Sequence, residues 1–237
     1  VTADQTSSTP GFCERAWAET ADLQEAICHH PFNQALALGS LEPERFAYYL
    51  VQDARYLREF STALAGAAAR APTSGDAGFF AASAERARAV EGSLHARYLD
   101  RLLPPEAGRR IPTGPACRRY AEFLRRAVEV EAYPVLVASL LPCFWIYHHV
   151  GLEIARQTDG QPAHPYREWI DTYADPAFAA GVDGIKAIAD RQAAALPDQE
   201  EPMLDAFRAG SEHEWAFWDG AWQYGGQTGG GGDSGTG

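Results

Sequence analysis

The sequence predicts an all-α, single-domain helical bundle, and three observations carry that prediction. Apolar residues recur at three- and four-residue spacing along almost every segment, as one buried face of a helix requires. No stretch alternates apolar and polar residues long enough to suggest a strand, and β-branched residues are few. Proline and glycine punctuate the chain at short intervals, leaving the brief connections that bundles use. At 237 residues, 46% of them hydrophobic, the chain is long enough for one sizeable core.

Residues 1–10 are polar and read as a flexible lead, followed by a helical domain over 11–224. Trp17, Leu23 and Ile27 share a helical period over 12–29, and His30-Pro31 closes that segment. A short helical turn over 33–38 stops at Gly39. Ser40-Leu41-Glu42-Pro43 then starts a long helix, with proline in its first turn, that runs to Ala71-Pro72. A helix over 77–103 ends at Pro104-Pro105, and Thr113-Gly114-Pro115 starts another that reaches about Val130. Pro134 marks a break before a central apolar helix that continues to Ile154. Residues 164–173 form a short helix, Asp175-Pro176 starts one toward Leu196, and the last spans 198–224. That makes eight or so helices, without internal repeats. The tail, 225–237, is mostly Gly, Ser and Thr and reads as disordered.

Acidic residues outnumber basic ones 32 to 20, for a formal charge of −12, with a single lysine, Lys186. Nucleic acid is thereby excluded as a partner, since phosphate binding needs clustered Lys and Arg. Four cysteines stand without a Cys-x-x-Cys pair, so a reduced, cytoplasmic setting is expected. No signal peptide is expected, and no uninterrupted apolar run approaches the roughly 18 residues that suggest a membrane span.

The run that bears chemistry is Leu140-Leu141-Pro142-Cys143-Phe144-Trp145-Ile146-Tyr147. Helical spacing puts the Cys143 thiol and the Tyr147 phenol on one face. Pro142 removes the amide that would bond the carbonyl of Ala138, the kind of interruption that kinks a helix and opens pockets. Taken alone, Cys143 also fits a small buried core residue. Asp53 lies among Phe46, Tyr49, Leu50 and Phe60 and pairs with Tyr56 at i,i+3; it is either a site carboxylate or an edge residue paired with Arg55 or Arg58. Glu212 and Glu214 precede Trp215, Phe217 and Trp218, and a carboxyl among those rings would titrate high, as a proton shuttle near neutrality needs. Both also fit surface acids. Tyr166, Trp169 and Tyr173 recur at helical spacing and by themselves read as core. Glu91-x-x-x-His95 and His148-His149 are the spacings suggestive of metal, but no Glu-x-x-His or His-Glu-x-x-His accompanies them. No glycine-rich phosphate loop is present.

Five segments in this order resemble the TenA family, also called thiaminase II or aminopyrimidine aminohydrolase. They are Gln52-Asp53-x-x-Tyr56; Tyr120; Leu141-Pro142-Cys143-Phe144-Trp145-Ile146-Tyr147; His164-Pro165-Tyr166-x-x-Trp169-Ile170-x-x-Tyr173; and Glu214-x-x-Phe217-Trp218. The resemblance implies a haem-oxygenase-like fold without haem or other cofactor, assembled as a homotetramer. It implies hydrolysis of 4-amino-5-aminomethyl-2-methylpyrimidine, and of thiamine at the same carbon, to hydroxymethyl pyrimidine in thiamine salvage. Cys143 matches the family nucleophile and Glu214 its acid/base, while Asp53, Tyr56, Tyr120, Tyr147 and Tyr173 match the pyrimidine pocket. His148-His149 stands where relatives often carry an acid. The competing readings are a non-catalytic pyrimidine-binding or regulatory protein, and a metal-dependent oxidase on the same fold.

Overall fold

The computed structural model describes residues 10–90, 96–103 and 107–224. Residues 1–9 of the lead predicted over 1–10 and the predicted tail at 225–237, together with Glu91 and His95, lie outside the described residues. Among the described residues there are twelve α-helices, one short 3₁₀ turn and no strand, as the sequence predicts.

The segment predicted as one helix over 12–29 is two, α1 (Phe12–Glu19) and α2 (Ala21–Cys28). Thr20 divides them: its backbone leaves the helical region at φ −112°, ψ 18°, and its hydroxyl donates back to the Ala16 carbonyl at 2.8 Å. A threonine bonded to its own preceding turn competes with the helix it would otherwise continue. His30 caps α3 (Pro31–Ala37) by accepting from the Phe32 amide. Helix α4 (Pro43–Arg70) starts with Pro43 in its first turn, where the missing amide costs nothing.

The region predicted as a helix over 77–103 contains α5 (Ser74–Val90) and α6 (Ala96–Leu102), with 91–95 outside the described residues. A short α7 (Ala107–Arg110) was not foreseen. Helix α8 (Pro115–Val130) ends two residues before α9 (Tyr133–Gln157), so Pro134 marks the break by opening the second helix. Asp175 separates α10 (Arg167–Ala174) from α11 (Pro176–Ala195), and its carboxylate accepts from the Ala177 amide at 2.6 Å. Helix α12 (Glu200–Gln223) completes the domain.

Helix α9 is the centre: α10, α11, α12 and α4 all pack on it. By length and composition it could cross a membrane, but 78% of its most apolar window is buried inside the fold. It is the core helix. It remains one continuous helix through Pro142, and the space that the proline ring takes is matched across the interface. A Cβ on Gly210 of α12 would lie 2.7 Å from Pro142 Cγ, so only glycine lets the two backbones approach. The same device sets α10 against α9, where a Cβ on Gly151 would meet Tyr173 Cβ at 2.6 Å and the Tyr173 carbonyl carbon at 2.9 Å. Gly151→Ala should therefore destabilise the protein by about 1–3 kcal/mol from overpacking, outweighing a helix-propensity gain of up to about 1 kcal/mol. The urea midpoint measures this, and an unchanged or higher midpoint refutes the close packing.

Candidate active site

Five helices bring the candidate residues to one place. Helix α4 contributes Asp53 and Tyr56, α8 contributes Tyr120, and α9 contributes Cys143 and Tyr147 one turn apart. Tyr173 comes from α10 and Glu214 from α12. All seven are buried, and Glu214 is 1% exposed, while Glu212 two residues earlier points to solvent. The local pattern alone left that choice open, while the family resemblance named Glu214; the rotation of α12 against α8 and α9 is what buries it.

A cavity of about 350 Å³ opens in front of the thiol, within the range of small-molecule sites. Asp53, Cys143, Tyr147 and Tyr173 line it, along with Phe60, Phe144 and Phe178, whose rings give it flat apolar walls. Tyr56, Tyr120 and Glu214 are not among the described residues that line it. They form a second layer behind the thiol. There the Tyr120 hydroxyl donates to Glu214 Oε1 at 2.7 Å, and the Tyr56 and Tyr120 rings stack with centroids 4.5 Å apart. Glu214 Oε2 and the Tyr56 hydroxyl are buried without a hydrogen bond of ordinary geometry, although that hydroxyl is close enough to favour the Cys143 thiolate. A wider depression of about 540 Å³ between α2, α3 and α9 holds no part of this constellation.

Electrostatics follow from burial. Loss of water pushes the Glu214 carboxyl up to about 8; the Tyr120 hydrogen bond opposes the shift and the Asp53 charge adds to it. Burial likewise raises the Cys143 thiol well above its ordinary value, with Glu214 the next contributor. At neutral pH the site thus rests as a thiol beside a largely protonated acid. Tyr120→Phe removes the donor to Glu214 Oε1, which should cost about 1–3 kcal/mol and raise the Glu214 carboxyl further. Urea denaturation and a carbon-13 titration of that carboxyl test both; a carboxyl that titrates lower refutes the assigned hydrogen bond.

The aromatic residues have distinct stations. Tyr147 packs on Tyr173 and on Trp218, with centroids 4.9 Å away in each case. Behind them the Tyr49 hydroxyl accepts from Trp169 Nε1 at 3.2 Å and reaches the Tyr147 hydroxyl at 3.5 Å, so Trp169 supports the site from the core. Tyr49 was read from sequence only as an apolar-face residue, since nothing in its spacing marks the bond across helices. His148 is not among the residues lining the cavity; its ring meets the Tyr173 carbonyl at 2.8 Å, which ties α9 to the end of α10. His149 lies on another side, edge-on to Trp17. No group of three or more His, Cys, Asp or Glu side chains able to hold a metal occurs among the described residues.

The family model for TENA/THI-4/PQQC matches residues 17–224. The chain belongs to that family. Among similar proteins is the thiamine biosynthesis multifunctional protein ThiED of Corynebacterium efficiens, 38% identical over 212 residues and 88% of this chain. The chain spans only 28% of that protein's length. An aminopyrimidine aminohydrolase of Bacillus subtilis is 28% identical over 209 residues, covering 87% of this chain and 88% of its own. Of solved structures, a TenA homologue from P. horikoshii superposes with a TM-score of 0.77 at 25% identity, covering 90% of this chain and 99% of that one. The all-α, haem-oxygenase-like fold implied by the resemblance is the fold found.

Proposed function

We propose that the protein is an aminopyrimidine aminohydrolase, or thiaminase II. It converts 4-amino-5-aminomethyl-2-methylpyrimidine, and thiamine, to hydroxymethyl pyrimidine in thiamine salvage. The observation that carries this reading is the Cys143 thiol on the wall of an aromatic cavity, backed by a buried carboxyl of raised pKa and by Asp53. A binding protein needs the aromatic walls but not the nucleophile and acid behind them.

In this reading the pyrimidine ring lies between the aromatic walls, with its amino group toward Asp53, and Tyr147 and Tyr173 orient it. In the fraction of molecules where Glu214 is ionised, it takes the Cys143 proton as the sulfur adds to the electron-poor ring, and a ring nitrogen takes up one proton in turn. Electrons returning from the ring expel the amine from the exocyclic methylene. Water adds there, the Cys143 sulfur leaves, and the net change is R-CH₂-NH₂ plus water to R-CH₂-OH plus ammonia. No cofactor is required by these steps. The homotetramer and the reducing, cytoplasmic setting belong to the same proposal. The four thiols are free, and Leu38 and Leu152 offer exposed apolar surface at 79% and 47% for subunit contacts.

Incubating purified protein with the aminomethyl pyrimidine and with thiamine, and resolving the products by chromatography, tests the assignment. Hydroxymethyl pyrimidine should form from both. Absence of turnover, with no binding of hydroxymethyl pyrimidine by calorimetry, sinks it.

A further inference from the structure

A chain of polar groups runs from the apolar core to the wall of the cavity. It begins at Trp169 Nε1 of α10, passes through the Tyr49 hydroxyl of α4 at 3.2 Å, and reaches the Tyr147 hydroxyl of α9 at 3.5 Å. Trp169 and Tyr49 are fully buried, and Tyr147 is the member that lines the cavity. The Tyr49 ring lies among Phe32, Phe46 and Phe217, with centroids 5.3, 5.9 and 6.0 Å away, where a phenylalanine would offer the same apolar ring. A hydroxyl in such surroundings costs free energy unless its hydrogen bonds are met, so its partners explain its presence.

The direction of the chain follows from what each group can give. An indole N–H only donates, whereas a phenol has one proton to give and lone pairs to receive. Trp169 Nε1 therefore occupies a lone pair of the Tyr49 oxygen and turns the Tyr49 proton toward the Tyr147 oxygen. With that oxygen receiving, the Tyr147 proton is left for the cavity. At 3.5 Å the contact between the two phenols is longer than an ordinary hydroxyl hydrogen bond, so it orients more than it binds. In a core without water to screen it, orientation is what such a dipole still imposes.

We propose that Tyr49, held by Trp169, is a positioning residue that fixes the Tyr147 hydroxyl as a hydrogen-bond donor into the cavity. A ligand then meets an aligned donor instead of a free rotor, and the ordering is done before binding. The assignment rests on the aminopyrimidine reading for its ligand, a flat ring whose nitrogens accept hydrogen bonds. Tyr173, the other phenol on the cavity wall, packs on Trp169 and Tyr147 with centroids 4.7 and 4.9 Å away and serves as the control.

Calorimetric Kd values for hydroxymethyl pyrimidine in a double-mutant cycle test it. Tyr147→Phe should weaken binding about tenfold and Tyr49→Phe about fourfold, both within the range of one neutral hydrogen bond. Made in a Tyr147→Phe background, Tyr49→Phe should change Kd by less than about twofold, because no hydroxyl is left there to orient. Made in a Tyr173→Phe background, it should keep its full effect. Effects that simply multiply with Tyr147→Phe would mean that Tyr49 acts by packing alone, and that outcome overturns the proposal. So does coupling to Tyr173 instead, or a Tyr49→Phe protein that binds as the parent does. Trp169→Phe leaves the Tyr49 hydroxyl but frees its lone pair, and gives a second route if Tyr49→Phe does not fold. It should lose affinity only where the Tyr147 hydroxyl is present, and a loss that persists without that hydroxyl is equally fatal. Failure of the parent protein to bind hydroxymethyl pyrimidine defeats the aminopyrimidine reading itself, and is distinguishable because it appears before any variant is compared.

Discussion

Cys143→Ser is expected to lower turnover of the aminomethyl pyrimidine at least about a thousandfold while leaving product affinity within a few-fold. A hydroxyl is a far weaker nucleophile than a thiol at the same position, and removal of a covalent nucleophile typically costs this much or more. The substitution is close to isosteric, so the aromatic walls that supply most of the binding surface stay in place. Steady-state rates read the first effect and calorimetry with hydroxymethyl pyrimidine the second. Residual turnover within tenfold of the parent protein would remove Cys143 from the chemistry and return it to the core-residue reading that its sequence context also allows.

Glu214→Gln is expected to give the second largest effect, about a hundred- to ten-thousandfold in kcat, the range for a general acid–base group. Its pH signature is more specific than its size. The productive state needs one proton shared between thiol and carboxyl, so kcat/KM for the parent, which reports ionisations of the free enzyme, should rise with pH through about 8, where Glu214 titrates. The glutamine variant should lose that ascending limb, and a limb that persists unchanged belongs to another group. Stability supplies an independent reading. Because the carboxyl is raised from the ordinary carboxylate range to about 8, the folded state holds a proton that the unfolded chain releases, and the advantage is lost as pH rises from about 4.5 through 8. Measured against Glu214→Gln, the parent should weaken by on the order of 4 kcal/mol across that window. Urea midpoints of the two proteins at pH 5 and pH 9 test this, and parallel curves would contradict the buried, unpaired carboxyl oxygen.

How much of this was legible in the sequence depends on which physical term decides each feature. Helix positions follow local rules, so Pro43, Pro115, Asp175 and Gly39 marked their boundaries correctly. Thr20 did not announce that it would divide α1 from α2, because its hydroxyl takes the Ala16 carbonyl only once that turn exists. The site divides in the same way. Periodicity placed Asp53 with Tyr56 and Cys143 with Tyr147; the structure puts Cys143 and Tyr147 together on the cavity wall, whereas Asp53 lines the cavity and Tyr56 does not. It could not choose Glu214 over Glu212, nor tell that Tyr56, Tyr120 and Glu214 stand behind the thiol while Tyr147 and Tyr173 face the cavity, since both depend on how five helices are rotated against one another. Ser83 and Arg86 of α5 carried no sequence signal, because such residues on an outer helix are ordinarily solvated; only the fold shows that both line the thiol's cavity.

The burial that surrounds the proposed nucleophile, Cys143, also governs its encounters with oxidants. Peroxides and alkylating agents react with thiolate, and burial holds every thiol in this chain toward its protonated form: Cys28 and Cys117 are pushed up to about 11, and Cys13 and Cys143 are raised well above the ordinary thiol value. If the proposed mechanism holds, with the sulfur ionising only as its proton passes to Glu214 with substrate present, the resting protein reacts slowly with such reagents. Its lifetime in a mildly oxidising environment is then set by how often the cavity is occupied and turning over, rather than by how often an oxidant diffuses in.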